Sequence, residues 1–260
     1  MLNCLSFSNQ KGGVGKSTLT MMIAHCLATL GYKVLLIDVD PQGSLTSLFN
    51  KPFTNTFKEL IYSFNNKRDT TTFDDVVIEV RENLFLLPTA SDEELRQVEM
   101  LLSGDPKYIY RNLAPILEEK GFDFVLIDFA GAWSILEKAM YCFLNELYLV
   151  ILPDILSLEC MSDQFTMLKT ASQIAERDIV NNFVIINNMD FRKKVGNQIK
   201  EEVEKNNKTL IIQTDAKIQT FQLLNQTPFD DIIIDGMHPN KTKIYADIKN
   251  IVNVIIKAKG

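Results

Sequence analysis

A short apolar run leads directly into a glycine-rich loop at the start of this 260-residue chain. The run covers residues 2–8 and predicts a buried strand, and the loop, residues 9–18, has the sequence NQKGGVGKST. The amphipathic pattern that follows predicts a helix from Lys16 to Leu30. A strand, a glycine-rich loop and a helix in this order are the context that a phosphate-binding loop requires. The beginning of the chain is therefore constrained to a strand and a helix joined by a backbone loop that can enclose an anion.

Each residue type in this loop suits the phosphate chain of a nucleotide. Glycines allow positive φ and let backbone N–H groups come close to an anion, and the first turn of the helix adds free N–H groups and the positive end of its dipole. Lys16 would neutralise charge on the β- and γ-phosphates, and the Ser17 hydroxyl would bind Mg²⁺. The predicted nucleotide-binding residues are Gly12, Gly13, Val14, Gly15, Lys16, Ser17 and Thr18. Gln10 stands where the common pattern has glycine, and a glycine-rich turn with two solvated lysines is the alternative.

The loop contains a second lysine, Lys11, near its N-terminal end. Because Lys16 already faces the phosphates and the start of the loop points away from them, Lys11 reaches a phosphate more easily in a facing subunit than in its own. We therefore expect two nucleotides enclosed between two copies of the chain. An ordinary surface lysine is the alternative.

Beyond the loop, short apolar runs alternate with longer amphipathic stretches. Predicted strands are Leu2–Ser8, Val34–Asp38, Leu84–Pro88, Phe124–Asp128, Leu147–Leu152, Phe183–Asn187 and Leu210–Gln213. Predicted helices are Lys16–Leu30, Ser91–Met100, Tyr108–Lys120, Trp133–Leu144, Ser157–Arg177, Gly196–Asn206 and Thr242–Lys257. This alternation predicts an α/β fold of the P-loop type, with an open, mostly parallel, twisted sheet flanked by helices. We expect residues 1–260 to form a single domain, with a mobile or inserted region around the polar stretch 50–75.

Three aspartates end predicted strands. Asp38 and Asp40 follow the second strand, and Asp128 ends the run FVLID, which has the Walker B pattern of four apolar residues and an acid. The carboxyl ends of the strands face the ligand crevice of an open α/β sheet. Carboxylates there can hold Mg²⁺ through water or orient an attacking water, and Asp128 is the predicted water-mediated Mg²⁺ ligand. A strand-end aspartate that caps the next turn is the alternative for Asp38 and Asp40.

Two segments resemble the ParA/MinD family of ATPases. Residues 11–18 are similar to the deviant Walker A box of that family, and residues 34–43, VLLIDVDPQG, are similar to its next box. The spacing and the Gln-Gly ending favour the ParA partition branch over the MinD branch. The family usually places two prolines soon after the aspartate at position 128, whereas this chain continues with Phe129-Ala130-Gly131.

The resemblance implies a function and roles for particular residues. It implies an ATPase that binds Mg²⁺ and ATP and forms a nucleotide-enclosing homodimer, with Lys11, Lys16 and Asp40 as its catalytic residues. Asp40 would position the hydrolytic water, and Asp38 would support the metal and the loop network. Asn187, which follows the strand at 183–186, would lie near the adenine, and Asn188 is the alternative.

The resemblance also implies partners. Members of the ParA branch bind DNA non-specifically as ATP dimers, and the predicted DNA contacts here are Arg192, Lys193 and Lys217. The formal net charge is −6, but residues 181–260 carry a net charge of +3, which leaves room for a basic patch. A ParB-like centromere-binding protein would stimulate hydrolysis. The expected location is the cytoplasm, in association with the nucleoid.

Two other functions remain open at this point. A MinD-like, membrane-cycling positioning ATPase would need an amphipathic terminal helix that binds lipid. The apolar stripe of the last predicted helix, Ile248, Ile251, Val252, Ile255 and Ile256, is better explained by core packing, and no stable membrane insertion is expected. A low-turnover nucleotide switch is the other candidate, suggested by the missing prolines after Asp128.

Overall fold

The computed structural model describes residues 2–49, 51–65, 70–89, 91–102, 105–131, 134–181, 183–213 and 239–259. Across this part of the chain, eight strands form one sheet in the order β3-β4-β2-β5-β1-β6-β7-β8. The strands are β1 Cys4–Ser8, β2 Val34–Asp38, β3 Ile78–Arg81, β4 Leu84–Leu87, β5 Phe124–Asp128, β6 Glu146–Ile151, β7 Val184–Met189 and β8 Thr209–Gln213. Every neighbouring pair is parallel except β3 and β4. The predicted fold class is confirmed.

Helices cover both faces of the sheet. They are α1 Lys16–Thr29, α2 Ser44–Phe49, α3 Phe57–Asn65, α4 Asp92–Leu102, α5 Tyr108–Lys120, α6 Ile135–Tyr141, α7 Ile155–Glu159, α8 Met161–Ala175, α9 Lys194–Glu204 and α10 Pro239–Lys259. Alternate residues of β2 enter separate cores: Leu35 and Ile37 pack with α3 to α6, whereas Val34 and Leu36 pack with α1 and α10. Two-sided burial is the reason that the central strands are continuously apolar.

Several elements differ from the sequence prediction. β3 was not predicted, since it is a four-residue edge strand with polar residues at alternate positions. The single helix predicted over Ser157–Arg177 is two helices, α7 and α8. Asp154 caps α7 by accepting a hydrogen bond from the Ser157 backbone N–H at 2.7 Å, so the first helix begins before the predicted start.

The region around 50–75 contains more regular structure than its polarity suggests. α3 lies within it and buries Phe57, Leu60 and Ile61 in the core at helical spacing. A one-turn 3-10 helix, Phe73–Asp75, follows and buries Phe73. The single-domain organisation with an insert stays a prediction.

The last helix, α10, packs against α1 and β8. Ile248, Ile251, Val252 and Ile255 are buried in the core, and Ile256 is partly buried beside it. The prediction that this stripe is a packing surface is confirmed. Among the described helices, none is long and apolar enough to cross a membrane.

The strand order determines where the predicted site residues meet. β1 lies beside β5, and β5 lies beside β2. Because the three strands are parallel, their carboxyl ends lie at one edge of the sheet, where ligands bind in open α/β folds. The glycine-rich loop and the strand-end aspartates are thereby brought together.

Candidate functional site

The glycine-rich loop connects the end of β1 to the start of α1. Gly13 and Gly15 have φ of +74° and +95°, in the left-handed region that favours glycine. A Cβ on Gly15 would also lie 2.6 Å from Asn187 Nδ2. Both glycines are therefore required by the backbone path, and Gly15 is required in addition by its close neighbour.

Side-chain hydrogen bonds to distant elements hold this loop in place. Asn9 Nδ2 donates to the Val150 carbonyl of β6 at 2.6 Å, and Asn9 Oδ1 accepts from the Lys11 backbone N–H at 2.7 Å. On the other side of the loop, Asn187 Nδ2 donates to the Val14 carbonyl at 2.7 Å. The loop is thus fixed to two neighbouring strands, β6 and β7.

A cavity of about 600 Å³ opens above the loop. Seven of the predicted site residues line it: Gly12, Gly13, Gly15, Lys16, Ser17, Thr18 and Asp40. Five lining residues were not predicted: Gln42, Ser44, Ser47, Leu48 and Ala130. Val14 was predicted to contact the nucleotide, but it is buried and is not among the lining residues. The volume is in the range of small-molecule and cofactor sites.

Lys16 provides the positive charge of the cavity. Its side chain is 9% exposed, and its ammonium donates to the Lys11 carbonyl at 3.4 Å. Burial lowers the pKa of Lys16, while Asp128, Asp40 and Glu137 act in the opposite direction. A phosphate group in the cavity would add negative charge next to this ammonium and would favour its protonated form.

Lys11 is paired within its own chain. Its ammonium lies 2.9 Å from Asp154 Oδ2, at the start of α7. Burial alone would raise the pKa of Asp154, but the hydrogen bonds from Lys11 and Ser157 together bring that pKa below its usual value. The expected reach of Lys11 into a facing subunit would therefore require this ion pair to open, and it stays a prediction.

Asp38 accepts three hydrogen bonds. Its Oδ2 accepts from the backbone N–H and the hydroxyl of Thr46, at 2.8 and 2.7 Å, and its Oδ1 accepts from the Asp40 backbone N–H at 3.0 Å. Burial raises the pKa of Asp38 to about 6 in spite of these bonds. Asp38 therefore fixes the turn that carries Asp40 and the beginning of α2.

Asp40 itself faces the cavity. Its Oδ1 accepts from the Gln42 backbone N–H at 2.9 Å, which closes a short turn after β2. The carboxylate is partly exposed and lines the same space as Lys16 and Ser17. This position suits the predicted orientation of a water next to a phosphate.

Asp128 has a different environment. It is completely buried and lies beside Asp38 in the register of β5 and β2. Burial and the neighbouring Asp38 raise the pKa of Asp128 well above its usual value, while the Ser17 hydroxyl and Lys16 lower it. In the described part of the chain, neither of its oxygens accepts a hydrogen bond of normal geometry. A divalent cation near Ser17 would stabilise this carboxylate.

Other predicted contacts fit less closely. Asn187 uses both ends of its amide within the chain, because its Nδ2 donates to the Val14 carbonyl and its Oδ1 accepts from the Asn188 backbone N–H at 2.9 Å.

Among the predicted DNA contacts, Arg192 forms a two-point contact with Asp190 at 2.8 and 3.0 Å, and Lys193 precedes α9. Lys217 lies outside the described residues.

No group of three or more His, Cys, Asp or Glu side chains in the described ranges could hold a metal ion. A cation in the cavity would therefore depend on Ser17 and Asp128 together with oxygens of a bound ligand.

Sequence reasoning missed Thr46, Asp154 and Glu137 as supporting residues. The spacing Ser134-x-x-Glu137 is a helix-start signal that could have drawn attention to Glu137.

Comparison with known proteins agrees with this geometry. A family described as "AAA domain" matches residues 2–182. The sporulation initiation inhibitor protein Soj of Bacillus subtilis is 24% identical over 201 residues, which are 77% of this chain and 78% of that protein.

Two solved structures have the same fold. One is a plasmid partition protein from Borrelia burgdorferi bound to AMPPNP, with a TM-score of 0.75 and 20% identity over 99% of this chain and 100% of that chain. The other is an ATP complex of a McdA variant from Cyanothece, with a TM-score of 0.77 and 21% identity over 97% of this chain and 96% of that chain.

Proposed function

This chain belongs to the AAA domain family and is a P-loop ATPase of the ParA/MinD type, and from that premise we propose that it is a ParA-like positioning ATPase. It binds ATP with Mg²⁺, forms a homodimer that encloses the nucleotides, and binds DNA non-specifically as that dimer. A ParB-like centromere-binding protein stimulates hydrolysis, which separates the dimer and releases the DNA. The nucleotide thus acts as a switch between two assembly states.

The observation that carries the proposal is the cavity above the glycine-rich loop. One wall is the loop with Lys16, and another contains Asp40. The buried Asp128 lies close enough to influence Lys16 and Ser17. Positive charge and backbone N–H groups suit the phosphates, and the carboxylates suit a cation and a water. This separation of charges within one cavity is what phosphoryl transfer to water requires.

Each residue has a defined part in this scheme. Lys16 and the loop amides bind the β- and γ-phosphates, and Asp40 orients a water on the exposed side. Ser17 and Asp128 would hold Mg²⁺, which when bound neutralises phosphate charge. Asp38 keeps Asp40 in place through the turn after β2.

The related structures and relatives support the positioning role. A Soj protein of Treponema pallidum is named a chromosome-partitioning ATPase, the Borrelia burgdorferi structure is named a plasmid partition protein, and McdA was solved with ATP. The burial of the α10 stripe favours this role over a MinD-like membrane cycle, because the apolar residues that would enter a lipid surface are packed on α1 and β8.

The test is to measure the mass of the protein in solution with ATP, with ADP and without nucleotide. We expect a dimer with ATP only, and DNA binding by that dimer that falls steeply with salt because phosphate contacts release counterions. Lys16→Ala should weaken ATP binding by roughly tenfold or more, since it removes a charged contact to phosphate.

Lys11→Ala is the matched control. It should keep ATP binding by the single chain and lose the ATP-dependent dimer. ATP affinity in the Lys16 variant equal to that of the wild type, or a chain that stays single with every nucleotide, would contradict the proposal. A stable ATP dimer with no hydrolysis in the presence of any partner would instead favour the low-turnover switch, which the loop Phe129-Ala130-Gly131 first suggested.

A further inference from the structure

The loop after β5 is tied to α6 by a buried acid that the scheme above does not use. Glu137 lies on α6 and is 2% exposed. Its Oε1 accepts a hydrogen bond from the Gly131 backbone N–H at 2.8 Å. α6 begins at this loop, with the Ser134 hydroxyl accepting from the Glu137 backbone N–H at 3.2 Å. The carboxylate thus folds back over the first turn of its own helix to reach the loop.

Gly131 is pressed against the start of the phosphate loop. Its φ is +84°, and a Cβ at this position would lie 2.7 Å from the Asn9 carbonyl oxygen. The residue before it, Ala130, lines the nucleotide cavity. Residues 129–131 therefore form part of a wall of the site, but Gly131 has more backbone freedom than any other residue would have there.

Glu137 also acts on the charged centre of the site. It is one of the three carboxylates that oppose the lowering of the Lys16 pKa. A single side chain thus binds the Gly131 N–H and lies close enough to influence the pKa of Lys16.

We propose that Glu137 is a positioning residue that fixes the 129–131 loop, and with it Asp128, against the phosphate loop. The inference rests on the proposed ATPase function. Where proline would restrict the backbone directly by fixing φ, this chain restricts it through a hydrogen bond that the Gly131 N–H donates to a buried carboxylate. Loss of that bond leaves nucleotide binding by the phosphate loop intact. It slows ATP hydrolysis, the step in which Asp128 and Asp40 must hold their relative positions.

The test separates the hydrogen bond from the charge with two variants. Glu137→Asp keeps the charge but is one methylene too short to reach the Gly131 N–H, and Glu137→Gln keeps an acceptor oxygen without the charge. We expect Glu137→Asp to lower kcat by about tenfold with KM for Mg·ATP within about threefold. Glu137→Gln should stay within about threefold of the wild type in both constants.

Glu99→Ala is the matched control, because Glu99 Oε1 accepts from the Leu136 backbone N–H at 3.1 Å at the same end of α6 without touching Gly131. It should leave kcat unchanged. Equal losses in the Asp and Gln variants, or a loss in the Glu99 variant as large as in Glu137→Asp, would overturn the proposal.

A second readout does not depend on hydrolysis. Amide hydrogen exchange at Gly131, measured without nucleotide, should be at least about tenfold faster in Glu137→Asp than in the wild type and unchanged in Glu137→Gln. Unchanged exchange in Glu137→Asp would refute the positioning role. If the wild type binds no ATP, the proposed function fails, and the exchange result still decides whether Glu137 holds the loop.

Discussion

The ends of β2 and β5 lie side by side and carry the same residue type in different environments. Asp38 and Asp128 are paired in the sheet register, and both are completely buried. Asp38 accepts three hydrogen bonds from Thr46 and Asp40. Asp128 has the Ser17 hydroxyl and the Lys16 ammonium as the neighbours that lower its pKa. Donors of the protein fill acceptor sites of the Asp38 carboxylate, whereas the Asp128 carboxylate is available to a ligand.

The difference shows that one of two neighbouring acids can stabilise the local structure while the other can bind a ligand. A carboxylate whose acceptor sites are filled by backbone donors stabilises a turn, whereas a desolvated carboxylate with few donors is costly until a cation arrives. We therefore infer that Asp38 acts by holding Asp40, and its predicted metal role stays a prediction. Variants at these strand ends should differ in the sign of their effect on stability.

The largest expected effect is on the occupied carboxylate. Asp38→Ala leaves the backbone N–H and hydroxyl of Thr46, and the Asp40 N–H, without their acceptor. Since a buried donor without a partner costs about 1–3 kcal/mol, we expect the free energy of unfolding to fall by about 3 kcal/mol. Urea unfolding followed by circular dichroism measures it. A loss below about 1 kcal/mol would mean that Asp38 does not fix this turn.

The opposite sign is expected at β5. Asp128→Asn replaces a carboxyl that burial makes costly to ionise with a neutral amide. It should raise the thermal midpoint of the nucleotide-free protein by about 2–4 °C, the shift that 1 kcal/mol gives in a chain of this size. The same variant should weaken the Mg²⁺-dependent part of nucleotide binding by roughly tenfold or more. A lower midpoint with unchanged Mg²⁺ dependence would assign Asp128 a structural role like that of Asp38.

The pH dependence of this gain follows from the raised pKa of Asp128. In the unfolded chain the Asp128 side chain has a pKa of about 3.9. Above this pH the unfolded state loses the Asp128 proton while the folded state retains it. Stability of the wild type therefore falls as the pH rises through this range. The stability advantage of Asp128→Asn should grow from about pH 4 toward neutral pH, and thermal scans at several pH values check it.

An effect smaller than that of Asp38→Ala is expected from the hydroxyl that completes the β2 turn. Thr46→Val keeps the backbone N–H bond to Asp38 but removes the hydroxyl, which donates to Asp38 and accepts from the Thr89 N–H at 3.2 Å. We expect a loss of about 1–2 kcal/mol in the free energy of unfolding. Thr46→Ser is the control and should recover most of it. Equal stability of the two variants would show that the hydroxyl contributes little.

Much of the fold was predictable because its strands are buried on both faces. The bounds of β2, β5 and α5 agree with the sequence prediction residue for residue. The edge strand β3 was missed because alternation over four residues is a weak signal. The helix α3 was missed because its three buried residues lie in a stretch of otherwise polar composition.

The candidate site was predictable where its residues are close in sequence. The phosphate loop is one continuous segment, and its chemistry can be identified from its own residue types. The contact of Lys11 with Asp154 joins residues 143 positions apart. The Asn187 contact with Val14 joins residues 173 positions apart. Such contacts depend on strand order, which the local pattern does not specify.

The sequence by itself determined that an anion-binding loop follows the first strand and that aspartates end two others, because both follow from local residue types and hydrophobic periodicity. Only the tertiary structure decided which aspartate holds a turn and which is left for a cation. The ionisation and hydrogen bonding of a buried carboxylate depend on the donors and charges packed around it, and those come from Thr46, Ser17 and Lys16 on separate elements.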